Sequence, residues 1–210
     1  MIISVQNQKG GVGKTTLAVG LSHAIALKST SVLLVDADPQ GSARDWAAAR
    51  ESKPPFAIVA LDRPTIHRDL PTIAKDYDHV LIDGAPRVTD LARSAIIAAD
   101  LVLIPVQPSP YDVWAAAEVV KLIREASVFK ENLKSVFAIN RKIANTAIGR
   151  DVAEALSSYD IPVLKAQICQ RVAFAESAAT GQTVLETAPN SAAAIELMAL
   201  AQEILEVGHG

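Results

Sequence analysis

The sequence predicts one α/β domain over residues 1–210, in which a mostly parallel, twisted sheet of about seven strands is covered by helices on both faces. Continuous apolar runs, such as VLLV at residues 32–35, predict strands that are buried on both faces. A helical pattern follows nearly every such run, which is typical of parallel strands joined by crossover helices. Hydrophobic residues make up 50% of the chain but aromatic residues only 4%, so we expect a core of Ala, Val, Ile and Leu.

The individual elements follow from the same runs. Strands are expected at residues 2–5, 32–35, 56–60, 80–83, 100–106, 136–139 and 162–168, with 56–60 at an edge. Helices are expected at residues 15–28, 42–52, 87–99, 110–127, 148–159 and 190–205. After Thr65, which can cap a helix, Pro71 predicts a break or a short helix. Strand and helix therefore alternate along most of the chain.

The charge and the cysteine content of the chain exclude several classes of function. The chain has 20 Lys and Arg against 23 Asp and Glu, a net charge of −3, so any contact with nucleic acid must rest on a local basic patch. The single cysteine, Cys169, excludes a disulfide within the chain and a four-cysteine metal site. No apolar run approaches the ~18 residues of a membrane span, and no signal peptide precedes the first strand. We therefore expect a cytoplasmic protein.

A glycine-rich loop, QKGGVGKTT at residues 8–16, lies between the first strand and the first helix. Glycines let successive backbone N–H groups turn inward, and the N-terminus of the following helix adds partial positive charge, so the loop can wrap a polyphosphate. Lys14 is placed to reach the β- and γ-phosphates of a nucleotide, Thr15 to bind Mg²⁺, and Thr16 to touch the α-phosphate. Strand, loop and helix in this order predict a phosphate-binding loop.

Aspartates follow two of the apolar runs. Asp36 and Asp38 come directly after residues 32–35, and Asp83 ends residues 80–83. Open α/β sheets bind their ligands at the carboxyl ends of the strands, so we expect these aspartates beside the phosphate loop. An aspartate held at a strand end can bind Mg²⁺ through its water shell.

These motifs resemble those of the ParA/MinD superfamily of deviant Walker A ATPases. Residues 9–15 match K-G-G-x-G-K-[ST], residues 36–40 match D-x-D-P-Q, and residues 82–86 match I-D-x-x-P. The resemblance covers nearly the entire chain. It implies ATP and Mg²⁺ as cofactors, with ATP bound by the loop residues Lys9, Gly10, Gly11, Val12, Gly13, Lys14, Thr15 and Thr16.

The resemblance also implies individual roles. Lys9 would cross a dimer interface and bind the nucleotide of the partner subunit, and Asp38 would orient or activate the attacking water. Thr15 would ligate Mg²⁺, Asp83 would hold it through its water shell, and Asp36 would lie in the second shell of the ion. Asn140, which follows residues 136–139, falls where family members read adenine, and its amide can both donate and accept.

The function that the resemblance implies is ATP-dependent DNA segregation. Two subunits would join on ATP, bind DNA without sequence preference, associate with the nucleoid, and be released when a small ParB-like, centromere-binding partner stimulates slow hydrolysis. Lys165 and Arg171 are the leading candidates for DNA contact, with residues 141–142 or 121–124 as alternatives. Because the first strand starts at Ile2, we expect the short ParF-like type, without an N-terminal helix-turn-helix domain.

Other functions share parts of this pattern. A ParA-like protein that positions a protein cargo would carry the same motifs, so the sequence does not separate it from a partition ATPase. A MinD-like membrane switch needs a basic amphipathic terminal helix, whereas residues 197–206 are acidic, so no membrane partner is expected. A nitrogenase-reductase-like protein needs two cluster cysteines. A P-loop metabolic ligase or kinase needs a substrate pocket, and the sequence shows no cluster of basic residues or of acid/base catalysts that would indicate one.

Overall fold

Six parallel strands form the central sheet of the computed structural model, which describes residues 1–28, 31–87, 89–144 and 148–209. In space the strands follow the order β3-β2-β4-β1-β5-β6. Neighbouring pairs are parallel throughout. Their bounds are β1 Ile2–Val5, β2 Val32–Asp36, β3 Ala57–Ala60, β4 His79–Asp83, β5 Leu101–Val106 and β6 Lys134–Ile139. Because β4 lies between β1 and β2, the loops that follow these three strands open side by side at one edge of the sheet.

Helices cover both faces of the sheet, as the sequence predicts. On one face, α1, α2, α8 and α9 pack against the strands, and α7 adjoins them. On the other face lie α3, α4, α5 and α6. The bounds are α1 Lys14–Ala26, α2 Ser42–Ala48, α3 Ile66–Ile73, α4 Thr89–Ala98, α5 Pro110–Ser127, α6 Ile148–Ser157, α7 Val172–Ala179, α8 Val184–Thr187 and α9 Ala192–His209.

The prediction of a seventh strand at residues 162–168 is wrong, because this segment does not form a regular strand. This segment runs beside β6 but forms only an isolated bridge there, from Val163 to Phe137. The backbone N–H groups of Leu164 and Ile168 still donate to the Phe137 and Ile139 carbonyls of β6. The N–H of Ala166, which lies between them, donates instead to the Glu203 carboxylate of α9 at 2.8 Å, as does that of Lys165. A side chain from a distant helix thus interrupts the strand, and the sheet ends at six.

Some helix predictions also differ from the structure. Helices α7 and α8 were not expected, and α2 ends at Ala48 rather than at residue 52. Helix α3 is short, as Pro71 indicated, and a 3₁₀ turn over Ala74–Asp76 follows it. The predicted start of the next helix includes residue 88, which lies outside the described residues. Within the described ranges, no helix combines the length and the apolar character that crossing a bilayer requires.

Helix α1, which carries the end of the glycine loop, is locked in place by α9. Gly20 lets Leu197 lie against the helix backbone, because a Cβ at Gly20 would fall 2.9 Å from Leu197 Cδ2. Leu197 itself is fully buried in the core on this face. The loop is therefore presented from a helix that has little freedom to shift.

Candidate nucleotide-binding site

The loop between β1 and α1 has the backbone shape that phosphate binding requires. Gly11 and Gly13 adopt φ of 76° and 89°, the left-handed region that favours glycine. Gly13 is also the N-cap of α1, and no side chain caps the helix, so the N–H groups of its first turn remain available to an anion. A side chain at Gly13 would moreover collide with Asn140, since its Cβ would lie 2.5 Å from Asn140 Nδ2.

The two lysines of the loop point in different directions. Lys14 Nζ donates to the Lys9 carbonyl at 3.1 Å, so this buried side chain curls back into its own loop. Burial lowers the pKa of Lys14, while the nearby charges of Asp83 and Asp38 oppose that shift. Lys9 Nζ instead forms an ion pair with Asp112 Oδ2 at 2.6 Å, in the first turn of α5. Sequence reasoning missed Asp112, which lies 103 residues away along the chain.

Asp36 and Asp83 are neighbours at the ends of β2 and β4. The two residues are Cα partners in the strand register, and both are fully buried. Asp36 is well satisfied, because its Oδ1 accepts the Asp38 N–H at 3.2 Å and its Oδ2 accepts both the backbone N–H and Nε–H of Arg44, at 3.0 and 3.2 Å. Arg44 was not singled out from the sequence, although it lies directly after the predicted aspartate motif.

Asp83 differs from Asp36 in having no such partners. Within the described residues, neither of its carboxylate oxygens has a hydrogen bond of ordinary geometry, although the Thr15 hydroxyl lies close enough to act on its pKa. Burial raises the pKa of Asp83 to about 7; the charges of Asp36 and Asp38 add to the rise, while the Thr15 hydroxyl and Lys14 oppose it. A buried carboxylate with free lone pairs beside a threonine hydroxyl is suited to hold a hydrated cation.

Asp38 occupies the turn that follows β2. Its Oδ1 accepts the Gln40 N–H at 2.9 Å, and Arg44 Nη2 donates to its backbone carbonyl at 3.2 Å. The residue is largely buried, yet it is close enough to Lys14 and Asp83 to influence the pKa of both. The structure therefore brings Asp38, Asp83 and Lys14 into one electrostatic cluster, as the sequence predicts.

Asn140 lines a cleft of about 730 Å³ that starts at Gly13 and Thr16. Its amide is already engaged, because Nδ2 donates to the Val12 carbonyl at 2.7 Å and Oδ1 accepts the Arg141 N–H at 2.9 Å. Asn140 therefore ties the phosphate loop to the end of β6. The amide oxygen and the amide nitrogen can each form one more hydrogen bond, as contact with a nucleotide base requires.

The two predicted DNA contacts both lie beside glutamates of α9. Arg171 lines the same cleft as Asn140, and its Nη2 and Nε bond the Glu196 carboxylate of α9, at 2.5 and 3.2 Å. Lys165 is exposed, but its backbone N–H donates to Glu203. Arg141 lines the same cleft as Arg171, so the glutamate of α9 faces more than one cation there.

The chain matches the family described as the CobQ/CobB/MinD/ParA nucleotide binding domain over residues 3–184. It is 28% identical, over 97% of its length and 95% of the relative's, to "Maintenance of carboxysome distribution protein A" of Halothiobacillus neapolitanus. It is 35% identical, over 80% of its length and 72% of the relative's, to "Protein ParA" of Rhizobium radiobacter.

A solved structure shares the fold. The septum site-determining protein MinD of Pyrococcus horikoshii superposes with a TM-score of 0.76, covering 98% of this chain and 96% of that one at 21% identity. The family match spans both the glycine loop and the aspartates at the ends of β2 and β4. The chain therefore belongs to the CobQ/CobB/MinD/ParA family of nucleotide-binding domains, within the ParA/MinD superfamily.

Proposed function

We propose that this chain is a Mg²⁺-dependent ATPase whose two copies close face to face on ATP, and that it uses this cycle to segregate DNA. The observation that carries the proposal is the separate placement of the two loop lysines. Lys14 stays within its own loop, whereas Lys9 is held at the surface by Asp112. One loop thus presents one cation to its own nucleotide and a second cation to a neighbour.

Nucleotide binding is supported by the loop geometry. The uncapped N-terminus of α1 and the inward-facing glycine backbone stabilise the phosphates, and Lys14 gives the charge that opposes the β- and γ-phosphates. Because the Lys14 side chain already lies along the loop, it needs little reorganisation to bind these phosphates. The Pyrococcus horikoshii MinD structure is a complex with Mg-ADP, which agrees with this role for the shared fold.

The residues at the ends of β2 and β4 fit a magnesium ion. The described residues contain no cluster of three or more His, Cys, Asp or Glu that would hold a metal alone. Mg²⁺ shared with a nucleotide needs only one or two protein ligands besides phosphate and water, and Thr15 and the unpartnered Asp83 provide them. Asp36, fixed by Arg44, orients the water shell. When bound, Mg²⁺ neutralises charge on the transferred phosphoryl group.

Asp38 is proposed to orient or activate the attacking water. Its carboxylate is held by Gln40 at the carboxyl edge of the sheet, next to Lys14 and Asp83. A carboxylate positioned in this way can accept the water proton as the phosphoryl group departs. Hydrolysis would therefore be slow until a partner protein improves this geometry.

The dimer is proposed to depend on Lys9. Two triphosphates that face each other across an interface repel unless cations lie between them. Lys9 is about two-fifths exposed, and its partner Asp112 is buried, so the amine can exchange Asp112 for the phosphate of a second subunit. Asn140 lines the cleft that would hold the base and ribose.

The comparisons support two uses of such a cycle. The similarity to "Protein ParA" supports a ParA-type cycle, which we propose serves DNA segregation with a small ParB-like, centromere-binding partner. The similarity to the carboxysome distribution protein equally supports positioning of a protein cargo. Both uses need the same ATP-dependent dimer, and both are consistent with a dimer that associates with the nucleoid in the cytoplasm.

Nonspecific DNA binding is proposed as the output of the ATP dimer. A monomer with a net charge of −3, whose Arg171 is already paired with Glu196, is a poor ligand for DNA. Dimerisation doubles the number of cations on one surface. Each phosphate that these cations neutralise raises the affinity for DNA and makes it depend more steeply on salt concentration. Dimerisation is therefore the step that would switch DNA binding on.

Substitutions at Lys14 and Asp38 should separate binding from hydrolysis. Lys14→Ala is expected to abolish nucleotide binding, because the loop loses the cation opposite the β- and γ-phosphates. Asp38→Ala should keep ATP binding and lower hydrolysis by roughly 100-fold or more. Titration with a fluorescent ATP analogue and measurement of phosphate release test both, with the exposed Lys53→Ala as control. Parental hydrolysis by Asp38→Ala would remove that residue from its role.

A salt titration tests whether Arg171 binds DNA phosphate. In the presence of a slowly hydrolysed ATP analogue, Arg171→Ala should bind duplex DNA more weakly, and the slope of log affinity against log salt should fall by ~0.9 for each phosphate that the variant no longer neutralises. Arg93→Ala, which alters an arginine already paired with Asp90 and Glu125, is the control. An unchanged affinity and slope would move the DNA-binding role to Arg141 and Lys142, or to Lys121 and Arg124.

Asp83 should make the metal-free protein sensitive to pH. Its folded pKa of about 7 exceeds the ordinary 3.8, so the folded state binds the proton more tightly than the unfolded state does. The free energy of unfolding then falls as pH rises from about 4 to 7, by about 1.4 kcal/mol for each pKa unit at most. The Asp83→Asn variant has no carboxylate to ionise, so its free energy of unfolding should not fall in this way. In EDTA, the difference between its melting temperature and the parent's should therefore be larger, in favour of the variant, at pH 8 than at pH 5.

The control for this experiment is Asp90→Asn, which alters an exposed aspartate. With Mg²⁺ and ATP added at pH 8, the parent should gain more thermal stability than Asp83→Asn, because only the parent keeps the carboxylate ligand. If the difference in melting temperature between Asp83→Asn and the parent is the same at pH 5 and at pH 8, Asp83 does not titrate in this range.

A further inference from the structure

The guanidinium of Arg44 lies across the turn that carries Asp36 and Asp38. We call residues 36–41 the aspartate turn. Arg44 donates from its backbone N–H and from Nε to Asp36 Oδ2, and from Nη2 to the Asp38 carbonyl at 3.2 Å. Gly41 makes room for this contact, because a Cβ there would fall 2.9 Å from Arg44 Nη2. One side chain of α2 is therefore bonded to both aspartates of the turn.

The other hydrogen bonds of Asp36 and Asp38 in the aspartate turn are mostly internal to it. Gly41 is the N-cap of α2 and has no side chain to cap the helix, so Asp36 caps it instead by accepting the Arg44 N–H. The Asp38 carbonyl accepts the Gly41 N–H at 2.9 Å, and the Asp38 carboxylate accepts the Gln40 N–H. Among the residues that the structure describes, Arg44 is the one side chain from outside the turn that donates to it.

We propose that Arg44 is a positioning residue for ATP hydrolysis, which holds the aspartate turn so that the Asp38 carboxylate faces the attacking water. The inference rests on the proposed function, because Arg44 would act through the role proposed for Asp38. Arg44 bonds the backbone carbonyl of Asp38 and not its carboxylate, so the carboxylate stays free to accept a proton. A misplacement of about 1 Å at a reacting group can lower a rate by roughly 100-fold.

Arginine is suited to this role because its planar guanidinium presents several donors in fixed directions. Nε and Nη2 serve Asp36 and Asp38 at once, whereas the single amine of a lysine could reach only one of these acceptors at a time. A further contact, from Nη2 to Asp62 Oδ2, is long at 3.8 Å, and both side chains are 39% exposed, so it contributes little. The inner bonds therefore determine where the guanidinium lies.

Hydrogen exchange tests the turn in the nucleotide-free protein. In Arg44→Ala, the amide groups of residues 38–44 should exchange at least about threefold faster than in the parent, because the acceptors of the turn are no longer held. Helix α1, which α9 locks in place, should exchange at the parental rate. An unchanged turn, or an increase that is equally large in α1, would show that Arg44 does not hold the turn specifically.

Kinetics with Mg²⁺ and ATP separate positioning from nucleotide binding. Arg44→Ala should lower kcat by roughly tenfold or more, while the dissociation constant of a fluorescent ATP analogue stays within about twofold of the parent's. Arg44→Lys keeps a cation beside Asp36, so it should retain the parental melting temperature and still lower kcat. Asp62→Asn, which removes only the outer contact, is the matched control and should keep the parental kcat.

A double substitution tests whether Arg44 acts through Asp38. Adding Arg44→Ala to Asp38→Ala should lower phosphate release by less than about twofold further, because the residue that Arg44 positions is already missing. A role of Arg44 in stability alone would not produce this loss of additivity. If the second substitution lowers the rate by the same factor in both backgrounds, Arg44 acts independently of Asp38 and the inference is wrong.

The outcomes distinguish this inference from the proposed function. If Asp38→Ala hydrolyses ATP at the parental rate, the proposed role of Asp38 fails, and the role of Arg44 fails with it. If Asp38→Ala loses hydrolysis while Arg44→Ala and Arg44→Lys keep the parental kcat, the inference alone is overturned. The same holds if the Arg44 variants lose ATP binding in place of kcat, since Arg44 would then serve nucleotide binding and not the position of Asp38.

Discussion

The burial of negative charge at the edge of the sheet is the constraint on which the rest of the site depends. Asp36 and Asp83 are fully buried neighbours on β2 and β4, and two carboxylates in such a position are stable only with cations nearby. Arg44 satisfies Asp36 from the following helix. Burial raises the pKa of Asp83 to about 7, and its carboxylate oxygens have no hydrogen-bond partner within the described residues. The fold therefore favours added positive charge beside Lys14, where a nucleotide with its metal would fit.

A second charge pair couples this site to the surface. Lys9 leaves the phosphate loop and is neutralised by Asp112, so the first turn of α5 is linked to the loop. Any ligand that attracts Lys9 must also release Asp112. This connects nucleotide occupancy with the first turn of α5, without requiring the sheet to move. The rigid packing of α1 against α9 through Gly20 and Leu197 keeps the change local.

The local parts of the fold and site could be predicted from the sequence, and the long-range parts could not. Apolar runs located the six strands, and the glycine loop and strand-end aspartates were recognisable because their residues are close in sequence. The prediction of a seventh strand failed because Glu203 accepts the N–H of Ala166, between the N–H groups of Leu164 and Ile168 that do bond β6. The Lys9–Asp112 pair joins residues too far apart in sequence to be predicted. Helix α8 did leave a signal, since Thr183 and Glu186 form a capping box.

The central claim is that Lys9 completes the site of the other subunit, and mixing two inactive proteins tests it most directly. Lys9→Ala lacks the lysine that a partner would receive, and Asp38→Ala lacks the residue that acts on water. In a mixed dimer, the Lys9→Ala subunit keeps its own Asp38 and receives Lys9 from its partner. Equal amounts should therefore release phosphate at up to about a quarter of the parental rate, because half of the dimers are mixed and each has one complete site. A mixture that is no faster than the sum of the separate proteins would contradict the account.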